Sequence, residues 1–228
     1  MQTLKNEMLT IQVSGHGAEL QSIRKDDYEY LWQGNPEYWG RRSPVLFPIV
    51  GSVWEKCFRV DGKVYEMGQH GFARDMDFEL VSAGDTEVWY RLESSEKTLA
   101  AYPWPFVLEI GYRLEGNSVK VLWKVTNPGE TEMYFQIGAH PAFNYPGYDP
   151  DAVDRGVVAF DRNDNLQRSG FKGKGCVDPK ARFPIPLSDD GMLRLKRDTF
   201  DDIDTLMLEN DQVHKIVFLK NDSSPYLT

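Results

Sequence analysis

Hydrophobic and polar positions alternate with a period of two along most of the chain, the pattern of strands with one face turned inward. Leu108, Ile110, Tyr112 and Leu114 alternate with Glu109, Gly111 and Arg113, and Glu115-Gly116-Asn117-Ser118 supplies a turn. Val119, Val121, Trp123 and Val125 then alternate with Lys120, Lys124 and Thr126, so the segment predicts a long antiparallel hairpin with one buried face. Shorter alternating runs predict strands at Leu9 to Val13, Ala18 to Arg24, Tyr28 to Trp32, Lys63 to Glu66, Glu87 to Leu92, Glu132 to His140, Val157 to Phe160, Met192 to Lys196 and Lys215 to Lys220. Gly, Pro, Asn and Asp break nearly every gap between them. The best helical stretch, Ser95 to Ala101, must stop before Pro103. A βαβ architecture is disfavoured, and neither a Gly-rich phosphate loop nor a dinucleotide fingerprint is present. The expected fold is all-β, a large antiparallel β-sandwich formed by residues 1–228 as a single domain. Gly147 to Leu187, rich in Asp, Gly, Pro and Lys, reads as long loops over one end of a sheet. At the C-terminal end a strand and a turn are followed by Pro225 to Thr228, which reads either as a very short edge strand or as the opening of a strand cut short.

Composition narrows the function. With 26 Lys+Arg against 35 Asp+Glu and a net charge of -9, the chain lacks the clustered basic excess that nucleic-acid binding requires. No apolar run approaches the ~20 residues that span a bilayer, and the first residues lack an apolar signal core, so no membrane association and a cytoplasmic location are expected. Cys57 and Cys176 show no Cys-x-x-Cys spacing and read as inert thiols. The aromatic fraction of 13% suits cross-strand packing first and sugar-stacking surfaces second.

Four histidines are candidates for chemistry. His16, between two glycines, and His214, in a polar turn, are most simply surface residues. His140 ends the run Tyr134 to His140, in which Phe135, Ile137 and Ala139 would face the core while Gln136, Gly138 and His140 face the other way. Pro141 then takes the chain out of the sheet. His70 lies in Gly68-Gln69-His70-Gly71, where the glycines permit unusual backbone angles and close approach of a ligand. Arg74 follows it, and Arg41 and Arg42 precede the apolar run Pro44 to Gly51. A structural role is open for either histidine, but two of them at strand ends, without metal-ligand spacing, point to acid/base chemistry on a neutral polar substrate.

Trp39 to Gly51, Gln69 to Asp75, and Gly138-Ala139-His140-Pro141-Ala142-Phe143-Asn144 together resemble, in order and spacing, the successive motifs of the aldose 1-epimerase (galactose mutarotase-like) family, closest to its bacterial branch of unassigned sugar. The resemblance implies a β-supersandwich and a cofactor-free, metal-free interconversion of the α and β anomers of a free hexose. His140 resembles the general acid at the ring oxygen, and His70 the second histidine of the catalytic pair, which binds the sugar and helps set the charge. Arg41 resembles the arginine that grips sugar hydroxyls, with Arg42 as the alternative register; Arg74 resembles its neighbour in the pocket. Asp204 resembles an aspartate that holds sugar hydroxyls, and a solvated turn carboxylate is the equal alternative. The family's base, a late glutamate in a Glu-Pro-Trp-like context, has no counterpart here: Glu209 lacks that context and comes too early. The resemblance therefore implies a chain that ends short of the last strands and the base. Loss of one member of an acid/base pair costs about 10²- to 10⁴-fold in rate. Two further readings stay open, a carbohydrate-binding module of the same fold without turnover and a sandwich with no ligand. A phosphosugar substrate would need more basic residues than the Arg41-Arg42 pair.

Overall fold

The two-residue alternation is realised as strands with alternating burial over Thr10–Val13, Leu20–Lys25 and Glu87–Glu93. The computed structural model describes residues 1–173, 176–202, 205–208 and 212–228, which divide into two units, Met1–Asn144 and Tyr145–Thr228. The first unit opens with the antiparallel meander β1 (Gln2–Lys5), β2 (Thr10–Val13), β3 (Leu20–Lys25) and β4 (Tyr28–Glu29). After β5 (Val45–Leu46) come the hairpin of β6 (Cys57–Val60) with β7 (Lys63–Glu66) and a second four-stranded sheet. That sheet runs β11-β10-β9-β8, from β8 (Glu79–Ala83), β9 (Glu87–Glu93), β10 (Val107–Glu115) and β11 (Ser118–Thr126). Between β9 and β10 lies α1 (Glu96–Ala101), started by a capping box in which the Ser95 hydroxyl accepts from the Thr98 N–H and the Thr98 hydroxyl accepts from the Ser95 N–H.

The β10–β11 hairpin has the expected register, Leu114 opposite Val119 and Glu115 opposite Ser118. Leu108, Ile110, Tyr112 and Leu114 of β10 are buried as the alternation requires. On β11, however, Val121 and Trp123 remain 40% exposed, because β11 is the sheet edge and has a neighbouring strand on one side only. The other face of the sheet is a charge ladder: Glu109 accepts from Arg91 on β9 at 3.0 Å and from Lys124 on β11 at 2.6 Å, which compensates its burial.

The expected strand from Glu132 to His140 shortens to β12 (Gly138–Ala139), with Ala139 exposed and Phe135 left 41% exposed although its ring lies 5.8 Å from that of the core residue Phe47. Its pairing partner is the equally short β5, so alternation over the rest of the run has no ladder to act on.

In the second unit the sheet order is β16-β13-β17-β18, from β13 (Asp154–Phe160), β16 (Leu193–Lys196), β17 (Ile216–Leu219) and β18 (Pro225–Leu227). A separate hairpin joins β14 (Gln167–Gly173) to β15 (Cys176–Pro184), so the stretch expected to be long loops holds paired strands. Polar and charged residues along both strands, among them Lys172, Asp178, Lys180 and Arg182, hid that pairing from the composition. Pro225–Leu227 pairs antiparallel with β17 as a short strand at the edge of this sheet. A small core of Val158, Leu166, Ile185 and Leu193 serves this unit, while Leu4, Ile11, Leu31, Phe47, Tyr102, Phe106 and Ile110 are among those that fill the core of the first. Aromatic rings form the centre of that first core: Phe47 meets Phe72, Tyr102 and Phe106 at centroid distances of 6.4, 6.1 and 5.0 Å.

Candidate functional site

The Pro44 to Gly51 run is the rod on which both candidate histidines are laid. On one side β5 pairs antiparallel with β12, Leu46 opposite Gly138 and Val45 opposite Ala139, and the His140 N–H donates to the Pro44 carbonyl at 3.0 Å. On the other side Phe47 bridges in parallel to Gly71, and the Phe47 carbonyl accepts from the N–H groups of Phe72 and Ala73 at 3.0 and 3.2 Å. The approach is close: a Cβ on Gly71, whose φ is 71°, would lie 2.2 Å from the Phe47 carbonyl oxygen. Past the cis Phe47–Pro48 bond, the Val50 N–H donates to Gln136 Oε1 at 3.0 Å and the Pro48 carbonyl accepts from the Gln136 N–H at 2.9 Å. Three segments far apart in sequence thus meet at one place.

His70 is locked there by a reciprocal pair of bonds. Its N–H donates to the Gly51 carbonyl at 2.7 Å, and its ring Nδ1 accepts from the Gly51 N–H at 3.0 Å. A φ of 66° puts this non-glycine residue in the left-handed region, a conformation maintained by those bonds. Because Nδ1 accepts, the imidazole is neutral and carries its hydrogen on Nε2, which is left to donate. Burial holds the His70 pKa below its usual value, and the charges of Arg74, His140 and Arg41 push the same way.

The two imidazoles face each other nearly edge to face, with centroids 5.9 Å apart. The Trp39 ring also meets His140, tilted at 47° with centroids 5.1 Å apart. The Arg41 guanidinium donates from Nη2 to Asp75 Oδ1 at 2.9 Å, and Asp75 Oδ2 lies 3.6 Å from Arg74 Nε. Arg74 also donates to the Gln69 carbonyl at 2.8 Å; its pKa is lowered by burial and then by Arg41, while Asp75 opposes both. Arg42 is turned elsewhere: its guanidinium donates to the Gln21 carbonyl at 3.0 Å, and its N–H, with that of Ser43, donates to Glu19 Oε1.

Four of the residues singled out in the sequence, Arg41, His70, Arg74 and His140, therefore lie together. Asp204 and Glu209 fall outside the described residues. His16 and His214 are exposed; His16 Nδ1 pairs with Asp77 at 2.8 Å, and the His214 N–H donates to Asp161. Cys57 and Cys176 form no disulfide. Among the described residues no group of three or more His, Cys, Asp or Glu side chains could hold a metal ion, and no helix is long and apolar enough to cross a membrane. Sequence reasoning gave no part to Asp75 or to the Gly51 N–H. An acid directly after Arg74 is a signal for the first, whereas a backbone donor leaves none.

The aldose 1-epimerase family pattern matches residues 1–167. The LacX protein of Lactococcus lactis subsp. lactis, in its chromosomal form, is 35% identical over 191 residues, which cover 80% of this chain and 64% of the relative. The chain thus spans less than two-thirds of the length of that protein. A galactose mutarotase-like protein from Lactobacillus casei is similar at 32% identity with a TM-score of 0.89, covering 97% of this chain and 76% of the other. A galactose mutarotase related enzyme from Lactobacillus acidophilus gives 32% and 0.87, covering 97% and 73%. The fold is accordingly all-β, with antiparallel sheets of the mutarotase-like β-sandwich architecture. By pattern, identity and fold, the chain belongs to the aldose 1-epimerase family.

Proposed function

We propose that this chain carries the sugar-binding and acid side chains of an aldose 1-epimerase, interconverting the α and β anomers of a free hexose without a cofactor. The observation that supports it most is the contact of His70 with His140 beside Arg41 and Arg74, in a chain of this family. In the forward step a base takes the anomeric hydroxyl proton, the bond from C1 to the ring oxygen breaks, and His140 gives a proton to that oxygen. The open aldehyde turns about C1–C2, and the same transfers reverse on closure from the other face. His70, neutral and donating from Nε2, holds a sugar oxygen without competing for the proton. Arg41 and Arg74 bind hydroxyls, and Asp204 is the further hydroxyl ligand. We place this activity in the cytoplasm, with residues 1–228 acting as one mutarotase-like domain.

One observation favours a second reading, a sugar-binding module without turnover. Among the described residues no glutamate is hydrogen-bonded to Arg41, His70, Arg74 or His140, and the Asp75 carboxylate is taken up by the two arginines. The two readings separate by polarimetry on freshly dissolved α-D-galactose and α-D-glucose. The enzyme reading expects mutarotation faster than the spontaneous rate, reduced at least ~10²-fold in His140→Ala. Saturable sugar binding with no acceleration would establish the module instead, and neither effect would remove both.

A further inference from the structure

Residues 33–40 form a short loop that holds an aromatic ring against His140. The N–H groups of Tyr38 and Trp39 both donate to the Asn35 carbonyl, at 3.1 and 2.9 Å, and the Glu37 N–H donates to Asn35 Oδ1 at 3.0 Å. Trp32 Nε1 donates to the Trp39 carbonyl at 2.8 Å. At the neck, Gly34 has a φ of 74° and approaches the Gly40 carbonyl so closely that an added Cβ would sit 3.1 Å from its oxygen. Polar bonds and a tight neck, rather than burial, fix this loop. It displays Tyr38, 75% exposed, and a partly exposed Trp39 whose ring lies 5.1 Å from that of His140.

No proton transfer assigned to His140 or His70 needs an indole at that place. An aromatic ring left partly in water by a well-tied loop gains free energy from whatever covers it. A pyranose has the matching chemistry: its ring faces carry C–H groups and its rim carries hydroxyls. An aromatic face takes the former, while imidazole and guanidinium donors take the latter.

We propose that Trp39 is the stacking platform of the sugar site, taking one C–H face of the pyranose ring so that the ring oxygen comes to His140. The assignment rests on the sugar-site reading above. It commits to a residue that the acid/base and hydroxyl-binding roles leave unused. Stacking of this kind is worth about ten-fold in affinity, the equivalent of ~1.4 kcal/mol.

The test uses protein labelled with 5-fluorotryptophan, whose six tryptophan resonances are separated by ¹⁹F NMR and assigned for position 39 by Trp39→Phe. D-Galactose and D-glucose are titrated in, with calorimetry of the unlabelled protein alongside. The expected result is a Trp39 resonance that moves along the calorimetric binding curve. Trp39→Leu, apolar but not aromatic, should then bind about ten-fold more weakly, and Trp39→Phe within about three-fold of the parent protein. A Trp39 resonance that stays still while calorimetry reports binding overturns the platform and leaves the sugar site standing. Trp39→Leu binding as tightly as the parent protein does the same. Calorimetry that detects neither sugar in the parent protein overturns the sugar site, and the platform falls with it.

Discussion

Asp75 has more structural work than its place in the sequence suggests. It is the only acid seen bonded to the site's side chains among the described residues, and it joins the two arginines that the sugar reading needs. Without it, Arg41 would keep its charge but lose its aim, and two guanidinium groups would stand together uncompensated. Asp75→Asn keeps a carbonyl acceptor and removes the charge. Arg41 is 36% and Asp75 53% exposed at the side chain, so solvent screening limits the effect to ~1 kcal/mol, about five-fold in sugar affinity. Calorimetry with D-galactose checks this, with Asp77→Asn as the matched control. Asp77 pairs with the exposed His16, and its variant should bind as the parent protein does. Equal affinities for the two variants would show that Asp75 does not orient the site.

Among the elements, the site depends on a two-residue strand. β5 offers few ladder bonds of its own, yet its flanks receive His140 on one side and the Gly71 to Ala73 turn on the other. Gly71 is the tightest point, since both its left-handed φ and the space at the Phe47 carbonyl exclude a side chain. Gly71→Ala should therefore cost ~3 kcal/mol or more by urea denaturation, and should displace His70 from its bonds with Gly51. Gly68→Ala is the contrast: no atom lies within 4 Å of an added Cβ there and the φ is not left-handed, so the change should stay within ~0.5 kcal/mol. Comparable losses for both would mean that backbone approach does not set the tolerance. The same comparison shows what the residues disclose in advance. The β10 alternation and the turn at Gly116-Asn117 were legible because each is local, and the three motif segments were legible as units. Their convergence on the Phe47 carbonyl was not, because hydrogen bonds between backbones leave no trace in residue type. For the same reason the run to His140 looked like a long strand: alternation records what side chains could do, while the length of the available partner decides what pairs.

At the scale of the whole molecule, the charges give stability two distinct acid limits. His70 is kept neutral by burial first and then by the cations Arg74 and Arg41, and Asp75 is the acid bound to both of those arginines. The folded pKa of His70 lies below the ordinary 6.5, so above that value neither the folded nor the unfolded chain binds the proton at this ring and the full stability is present. As the pH falls below 6.5 the unfolded chain protonates first, and stability is lost until the pH has passed through the folded value. The carboxylates behave the same way lower down. Glu109, lowered by Lys124 and Arg91, and Glu87, lowered by Arg113 and Trp89, contribute above the ordinary 4.5 and lose that contribution as the pH falls through their lowered values. Asn is among the residues best tolerated at a left-handed φ, and its side-chain oxygen can accept from the Gly51 N–H, so His70→Asn removes the titration with little change in shape. Thermal unfolding at pH 7.5, 5.5 and 4.0 should show the parent protein losing stability between 7.5 and 5.5 more steeply than the His70→Asn variant. Below 4.5 the two should fall in parallel, because the charge ladder on β9, β10 and β11 is common to both. Identical slopes in the upper range would place the acid sensitivity outside the histidine pair and leave the Gly51 bond as a purely steric lock.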